Sequence, residues 1–179
     1  DEIGISIMKI VEELDSGPVS NIYKLKLNNN YNAQEVSEKL SLLASEKILD
    51  VIDDILEDKA KFSEQDHTKA TYAKKIDKKE GKINWGDEAQ KIIGKINGLF
   101  PSPGAFFTYN GERYKILKAV TGNGVGKIGE VVSNNLEIVC GNSKSIKILE
   151  IQRQGKNPQK IGEFMLGSKI KKGSVIPNV

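Results

Sequence analysis

The sequence predicts an α/β segment followed by a small, mostly β domain. The segment Ile3–Ile10 has little polar alternation, which predicts a strand with a central position in a sheet, and a helical stretch follows to about Asp58. From residue 83 onward, short β-rich segments are separated by Gly and Asn turns, which predicts an OB-like barrel. Between these parts, residues 59–82 are polar and lack an apolar period, so we assign them to a linker.

The first part contains a second strand and a helix. Residues Ile22–Leu27 alternate between polar and apolar side chains, as a half-exposed strand does. Residues 28–32 form a polar break, and Asn32 is placed as a helix N-cap with Glu35 completing a capping box. The apolar positions of the helix change phase near Ser45, which predicts a break or kink there.

The second part predicts one short helix and five strands. Trp85 is expected to anchor the domain, and the helix covers residues 89–96. Asn110-Gly111 is a strong hairpin signal, because both residues tolerate the positive φ of a tight turn. The predicted strands are Ala105–Tyr109, Arg113–Ala119, 129–132, 136–140 and 146–151, followed by a helical turn over 162–167.

Composition narrows the protein class. With 38% hydrophobic and 28% charged residues, the 179-residue chain is typical of a globular protein, and no apolar run approaches membrane-spanning length. The single cysteine, Cys140, excludes an internal disulfide and favours a reducing, cytoplasmic setting. Its apolar neighbours predict that it is buried rather than a nucleophile.

Charge is divided unevenly along the chain. Residues 1–70 contain 15 acidic and 8 basic residues, for a net charge of −7. Residues 71–179 contain 9 acidic and 19 basic residues, for a net charge of +10. This division suggests a polyanionic partner for the second part. A lysine-rich, solubilising surface is the alternative that charge alone leaves open.

Several segments resemble the second half of methionyl-tRNA formyltransferases, in the order that the family has them. They are Gly4–Met8, Leu14-Asp15-Ser16-Gly17, Ala70–Ile76, Ile83-Asn84-Trp85, Phe100–Ala105 and Glu163–Gly167. The resemblance implies an α/β remnant of a Rossmann-like formyltransferase domain over 1–58, a basic linker over 59–82, and an OB-like tRNA-binding domain over 83–179. It also implies formyl transfer from 10-formyltetrahydrofolate to the amino group of methionyl-initiator tRNA.

Asp15 matches the catalytic aspartate of that family. The family's chemistry uses an Asn, a His and an Asp in one cleft, and only the Asp has a counterpart here. We therefore expect that the chain starts within the catalytic domain and is inactive by itself. Taken without the family match, Asp15 is better explained as a turn-forming residue. His67 matches no motif, and we interpret it as a solvated residue of the linker rather than a substitute for the missing His.

RNA contacts are predicted at two basic groups. Phosphate neutralisation requires positive charge more than exact geometry, so each of these residues has the alternative of being only a solvated lysine or arginine. The candidates are Lys74, Lys75, Lys78, Lys79 and Lys82 in the linker, and Arg153, Lys156, Lys171 and Lys172 toward the C-terminus.

The family resemblance implies a monomeric, cytoplasmic enzyme with initiator methionyl-tRNA and a folate donor as substrates, and with no metal and no membrane association. Two alternatives remain open at this point. One is a stand-alone OB-like RNA-binding module, and the other is a formyltransferase that acts on a sugar nucleotide.

Overall fold

The computed structural model describes residues 2–27 and 31–178. Its secondary structure falls into two units that divide between Lys75 and Ile76, inside the segment assigned to a linker. In the described part of the chain, no helix is both long and apolar enough to cross a membrane.

The first unit contains an antiparallel strand pair and one long helix. Strands β1 (Glu2–Met8) and β2 (Val19–Lys26) pair along their length, and the helix α1 covers Ala33–Leu56. The predicted capping box is confirmed: Asn32 Oδ1 accepts a hydrogen bond from the Glu35 amide at 3.0 Å, and Glu35 Oε2 accepts one from the Asn32 amide at 2.8 Å. Residues 28–30 of the predicted polar break lie outside the described residues.

Of the break or kink predicted near Ser45, the break is wrong, because α1 continues through Ser45 without interruption. The Ser45 hydroxyl donates a hydrogen bond to the Leu42 carbonyl oxygen at 2.8 Å. A serine that satisfies its hydroxyl on the preceding turn can remain in a helix interior. Val51 is the buried residue of this helix, whereas Leu42, Leu49 and Leu56 are exposed.

The second unit is built on a five-stranded antiparallel sheet with two helices. The elements are α2 (Ala89–Gly98), β3 (Ala105–Tyr109), β4 (Glu112–Gly122), β5 (Glu137–Val139), β6 (Ser145–Arg153), β7 (Gln159–Lys160) and α3 (Ile161–Gly167). The strand order is β3-β4-β6-β5, and β7 pairs with β6.

The hairpin prediction is confirmed, and one strand prediction is wrong. Asn110 and Gly111 have φ of +50° and +77° and connect the paired strands β3 and β4. The segment 129–132 does not form a regular strand; Glu130 and Val131 make only isolated bridges. Gly129 has φ of +79°, which takes the backbone out of the extended region at the start of that segment.

Aromatic side chains lie at the centre of the second unit's core. Trp85 is fully buried, as predicted for an anchor, and its ring and that of Phe107 form a T-shaped contact with 5.8 Å between centroids. Phe107 in turn stacks on Tyr114 at 5.3 Å. Cys140 is buried in the same core, as predicted, and burial raises the pKa of its thiol to about 11, which disfavours the thiolate form.

Candidate functional site

The predicted catalytic residue Asp15 lies in the turn between β1 and β2, which we call the Asp loop (residues 9–18). Asp15 is exposed and adopts φ of +54°, in the left-handed region. The base of the loop is closed by a hydrogen bond from the Lys9 amide to the Pro18 carbonyl at 3.0 Å. Gly17 is buried, and a Cβ there would collide with the Lys9 carbonyl oxygen, so this close approach requires glycine.

A residue that sequence reasoning missed contacts the Asp loop. The side-chain amide of Gln65 donates hydrogen bonds to the Asp15 carbonyl at 2.9 Å and to the Gly17 carbonyl at 2.7 Å. Nothing in the sequence distinguishes Gln65 from its polar neighbours, because its partners lie 48 and 50 residues away.

The second unit carries a positively charged groove of about 330 Å³, which we call the basic groove. Its cationic lining residues come from the turn at 78–81, from strand β4 and from the end of β6. The full lining consists of Lys78, Ser102, Pro103, Arg113, Lys115, Gln152, Arg153, Gln154 and Gly155.

Contacts hold the cations of the groove in defined positions. The Arg113 guanidinium lies 3.6 Å from the centroid of the Phe106 ring, which is a cation–π arrangement. Lys115 Nζ donates a hydrogen bond to the Pro101 carbonyl oxygen at 3.3 Å. An arginine stacked on an aromatic ring still offers the edge of its guanidinium to an anion, so Arg113 is suited to bind a phosphate.

Arg153 is paired with an acid at the end of β6. Its guanidinium donates a hydrogen bond to Glu112, and the Tyr114 hydroxyl donates another to the same carboxylate at 2.7 Å. The hydrogen bonds from Arg153 and Tyr114 lower the pKa of Glu112. Burial, together with the bond to Glu112, raises the pKa of Tyr114 to about 12. Part of the charge of Arg153 is therefore neutralised within the protein.

The structure brings together only some of the predicted RNA-binding residues. Lys78 and Arg153 line the basic groove, where Arg113 and Lys115 join them without having been predicted. Arg113 and Lys115 alternate along β4, and this period-two spacing of cations is the sequence signal that could have identified them. The remaining candidates lie outside the groove, exposed except for the half-buried Lys82: Lys74, Lys75, Lys79, Lys82, Lys156, Lys171 and Lys172.

No metal-binding cluster of three or more His, Cys, Asp or Glu side chains is found in residues 2–27 and 31–178. His67 lies exposed in a 3₁₀ turn, His67–Lys69, whose N-cap is Asp66.

Comparison with known proteins places the chain in a family. A family model described as "Formyl transferase, C-terminal domain" matches residues 75–169. The methionyl-tRNA formyltransferase of Pelagibacter ubique (strain HTCC1062) is 66% identical over 178 residues, which are 99% of this chain and 57% of that protein. The enzyme of the same name from Bradyrhizobium sp. (strain ORS 278) is 34% identical over 96% of this chain and 56% of its own length. The chain thus spans about half the length of the curated relatives it matches.

Solved structures of formyltransferase-related proteins have a fold similar to that of this chain. HypX from Aquifex aeolicus, in complex with tetrahydrofolic acid, has a TM-score of 0.74 at 16% identity over 96% of this chain and 31% of that chain. An N-formyltransferase from Helicobacter canadensis, in complex with folinic acid and dTDP-3-aminofucose, has a TM-score of 0.64 at 19% identity over 85% of this chain and 56% of that chain. At these identities the likeness concerns the fold alone. The family match over residues 75–169 shows that the chain belongs to the formyl transferase family and contains that family's C-terminal domain.

Proposed function

We propose that the chain is the C-terminal part of a methionyl-tRNA formyltransferase. The whole enzyme would transfer a formyl group from 10-formyltetrahydrofolate to the amino group of methionine on initiator tRNA. The observation that carries this proposal is the 66% identity over 178 residues to a methionyl-tRNA formyltransferase.

We infer that the first part of the chain ends a Rossmann-like catalytic domain and that residues 59–82 include the connection to an OB-like barrel. The family resemblance further favours a monomeric, cytoplasmic enzyme without a metal. Two structural relatives are described as complexes with tetrahydrofolic acid and with folinic acid, which supports a folate donor for this protein.

Formyl transfer sets chemical requirements that Asp15 could help to meet. The neutral amino group of methionine attacks the formyl carbon and loses a proton, and the folate nitrogen leaves with a proton as its bond to that carbon breaks. An oxyanion forms between these steps and must be stabilised. We propose that the Asp15 carboxylate orients and stabilises an imidazolium that the rest of the protein supplies. Its exposed position on the Asp loop makes it accessible to such a partner.

The basic groove and the linker lysines are proposed to bind the tRNA backbone. Lysine and arginine side chains that neutralise phosphates release condensed counterions, which supplies affinity with little dependence on base sequence. Lys78, Arg113 and Lys115 line the same groove. Lys74 and Lys75 add positive charge at the end of the first unit.

An acceptor panel tests the proposal. The whole protein is incubated with 10-formyltetrahydrofolate and either methionyl-initiator tRNA, methionyl-elongator tRNA or a dTDP-amino sugar. We expect formylation of methionyl-initiator tRNA in preference to the other acceptors. Formylation of the amino sugar alone would favour a sugar-nucleotide enzyme. Binding of tRNA without formyl transfer would favour an RNA-binding module.

A further inference from the structure

The backbone at Asp15 adopts a conformation that few contacts within the loop restrain. Its φ of +54° lies in the left-handed region, which residues other than glycine adopt infrequently. Residues 11–15 are all exposed, so packing against a core contributes little to holding the turn. Since the backbone sets the direction of the side chain, the position of the Asp15 carboxylate depends on what restrains this turn.

Gln65 provides such a restraint on both sides of Ser16. Its Nε2 donates to the carbonyl oxygens of Asp15 and Gly17, at 2.9 and 2.7 Å. An amide NH₂ group has two donors, and both are used here. Because carbonyl oxygens only accept hydrogen bonds, these partners require the nitrogen of the amide, rather than its oxygen, to face the loop.

The segment before Gln65 is itself attached to the base of the Asp loop. Ser63 and Val19 exchange two backbone hydrogen bonds, each of 2.9 Å, as in a short antiparallel bridge. The Lys9 ammonium lies 4.2 Å from the centroid of the Phe62 ring. Gln65 is half-buried as a result, and its amide is placed beside the loop by contacts that do not involve Asp15.

We propose that Gln65 is a positioning residue that holds Asp15 in its catalytic orientation. This role rests on the proposed function, and Gln65 acts through the loop backbone rather than on the substrate. A displacement of about 1 Å in a catalytic group can lower the rate on the order of 100-fold. Loss of the two hydrogen bonds is therefore expected to lower kcat by about 10- to 100-fold and to change KM for tRNA by less than about threefold.

The test uses the whole enzyme and three variants. Gln65→Ala removes the amide, and Gln65→Met keeps the length of the side chain but has no donors. Gln34→Ala is the matched control, because the Gln34 amide donates a hydrogen bond to its helix neighbour Glu38, at 2.9 Å, and makes no contact with the Asp loop within the described residues. Each variant is assayed for kcat and KM with methionyl-initiator tRNA, and its thermal unfolding is recorded in parallel. We expect both Gln65 variants to lose kcat and Gln34→Ala to keep it.

A double-variant cycle separates positioning from a general structural role. If Gln65 acts through Asp15, Gln65→Ala should have almost no further effect in an Asp15→Asn background, because the carboxylate that it positions is gone. An equal fold-loss in both backgrounds would overturn the proposal. If Gln65→Ala does not fold, Gln65→Met carries the test, and a folded Gln65→Met with full kcat would also overturn it.

The same measurements separate this role from the proposed function. A wild-type enzyme that transfers no formyl group to methionyl-tRNA would overturn both. An active wild type, an inactive Asp15→Asn and a Gln65→Ala variant within about threefold of wild type would overturn the role of Gln65 alone.

Discussion

Removing three cationic side chains from the basic groove should lower the salt dependence of tRNA binding. The variant Lys78→Ala/Arg113→Ala/Lys115→Ala removes three positive charges that line one groove of about 330 Å³. Each phosphate contact contributes about 0.7 to 0.9 to the slope of log K against log salt, so the slope should fall by about 2 to 3. Between about 50 and 200 mM salt, the affinity of wild type should therefore fall by a factor about 16 to 64 times larger than the factor by which the affinity of the variant falls.

The assay is fluorescence anisotropy of labelled initiator tRNA over this salt range, with a charge-matched control. Lys127→Ala/Lys144→Ala/Lys147→Ala removes the same charge from exposed residues of the same unit that do not line the groove. If only net charge matters, the two triple variants will have equal slopes, and this result would refute the groove as a phosphate site. Loss of the contact between Arg113 and Phe106 should cost only about 0.5 to 1 kcal/mol in the free energy of unfolding, which a thermal unfolding control checks.

The linker lysines are tested in the same titration. Replacing Lys74, Lys75, Lys78 and Lys79 with alanine should lower the slope by about 2 to 4 if most of them contact phosphates. It should also weaken binding to many tRNAs alike, because backbone contacts carry little sequence information. A slope equal to that of wild type would show that the linker lysines do not contact tRNA phosphates. The exposed lysines around Lys156 and Lys171 would then be the next candidates.

Two further predictions concern stability. Residues 76–179 expressed alone should unfold in one cooperative thermal transition, because they form one unit with its own core. Residues 1–58 alone should show no such transition. A cooperative transition from residues 1–58 would show that the domain boundary is misplaced. Burial by itself would raise the pKa of Glu137, but hydrogen bonds from Ser145 and the Gly124 amide lower it overall below 4.5. Because its pKa is lowered on folding, the Glu137 carboxylate stabilises the fold above about pH 4.5, and this contribution is lost as the pH falls through the folded-state pKa. Glu137→Gln should therefore flatten the dependence of the unfolding midpoint on pH below about 4.5. An unchanged pH dependence would contradict this.

Local signals predicted most of the secondary structure. Asn32 and Glu35 are close enough in sequence to define the start of α1 by themselves, and Asn110-Gly111 specifies its own turn. The prediction of a break near Ser45 was wrong because periodicity reports burial, and burial depends on neighbours that a local pattern does not contain.

The site could be predicted only in part, because it depends on contacts between distant residues. Asp15 is predicted through its motif, and its catalytic role stays a proposal. The basic groove needs the pairing of β4 with β6, which places Lys115 opposite Gln152 although they are 37 residues apart. Gln65 reaches the Asp loop only after Ser63 has paired with Val19. The alternation of Arg113 and Lys115 along β4 is a local signal for part of the groove, but neither the pairing of β4 with β6 nor the contact of Gln65 leaves such a signal in the chain.

The central claim is that this chain supplies a catalytic carboxylate for formyl transfer to methionyl-tRNA. The most direct test is the single-turnover rate of formyl transfer by the whole enzyme, comparing wild type with Asp15→Asn and with the control Asp58→Asn. Asp58 is also exposed and has φ of +56°, so both substitutions remove a charge from a similar backbone conformation. We predict a loss of about 100-fold or more for Asp15→Asn, with unchanged thermal unfolding, and a rate within about threefold of wild type for Asp58→Asn. A rate within about threefold of wild type for Asp15→Asn would contradict the account.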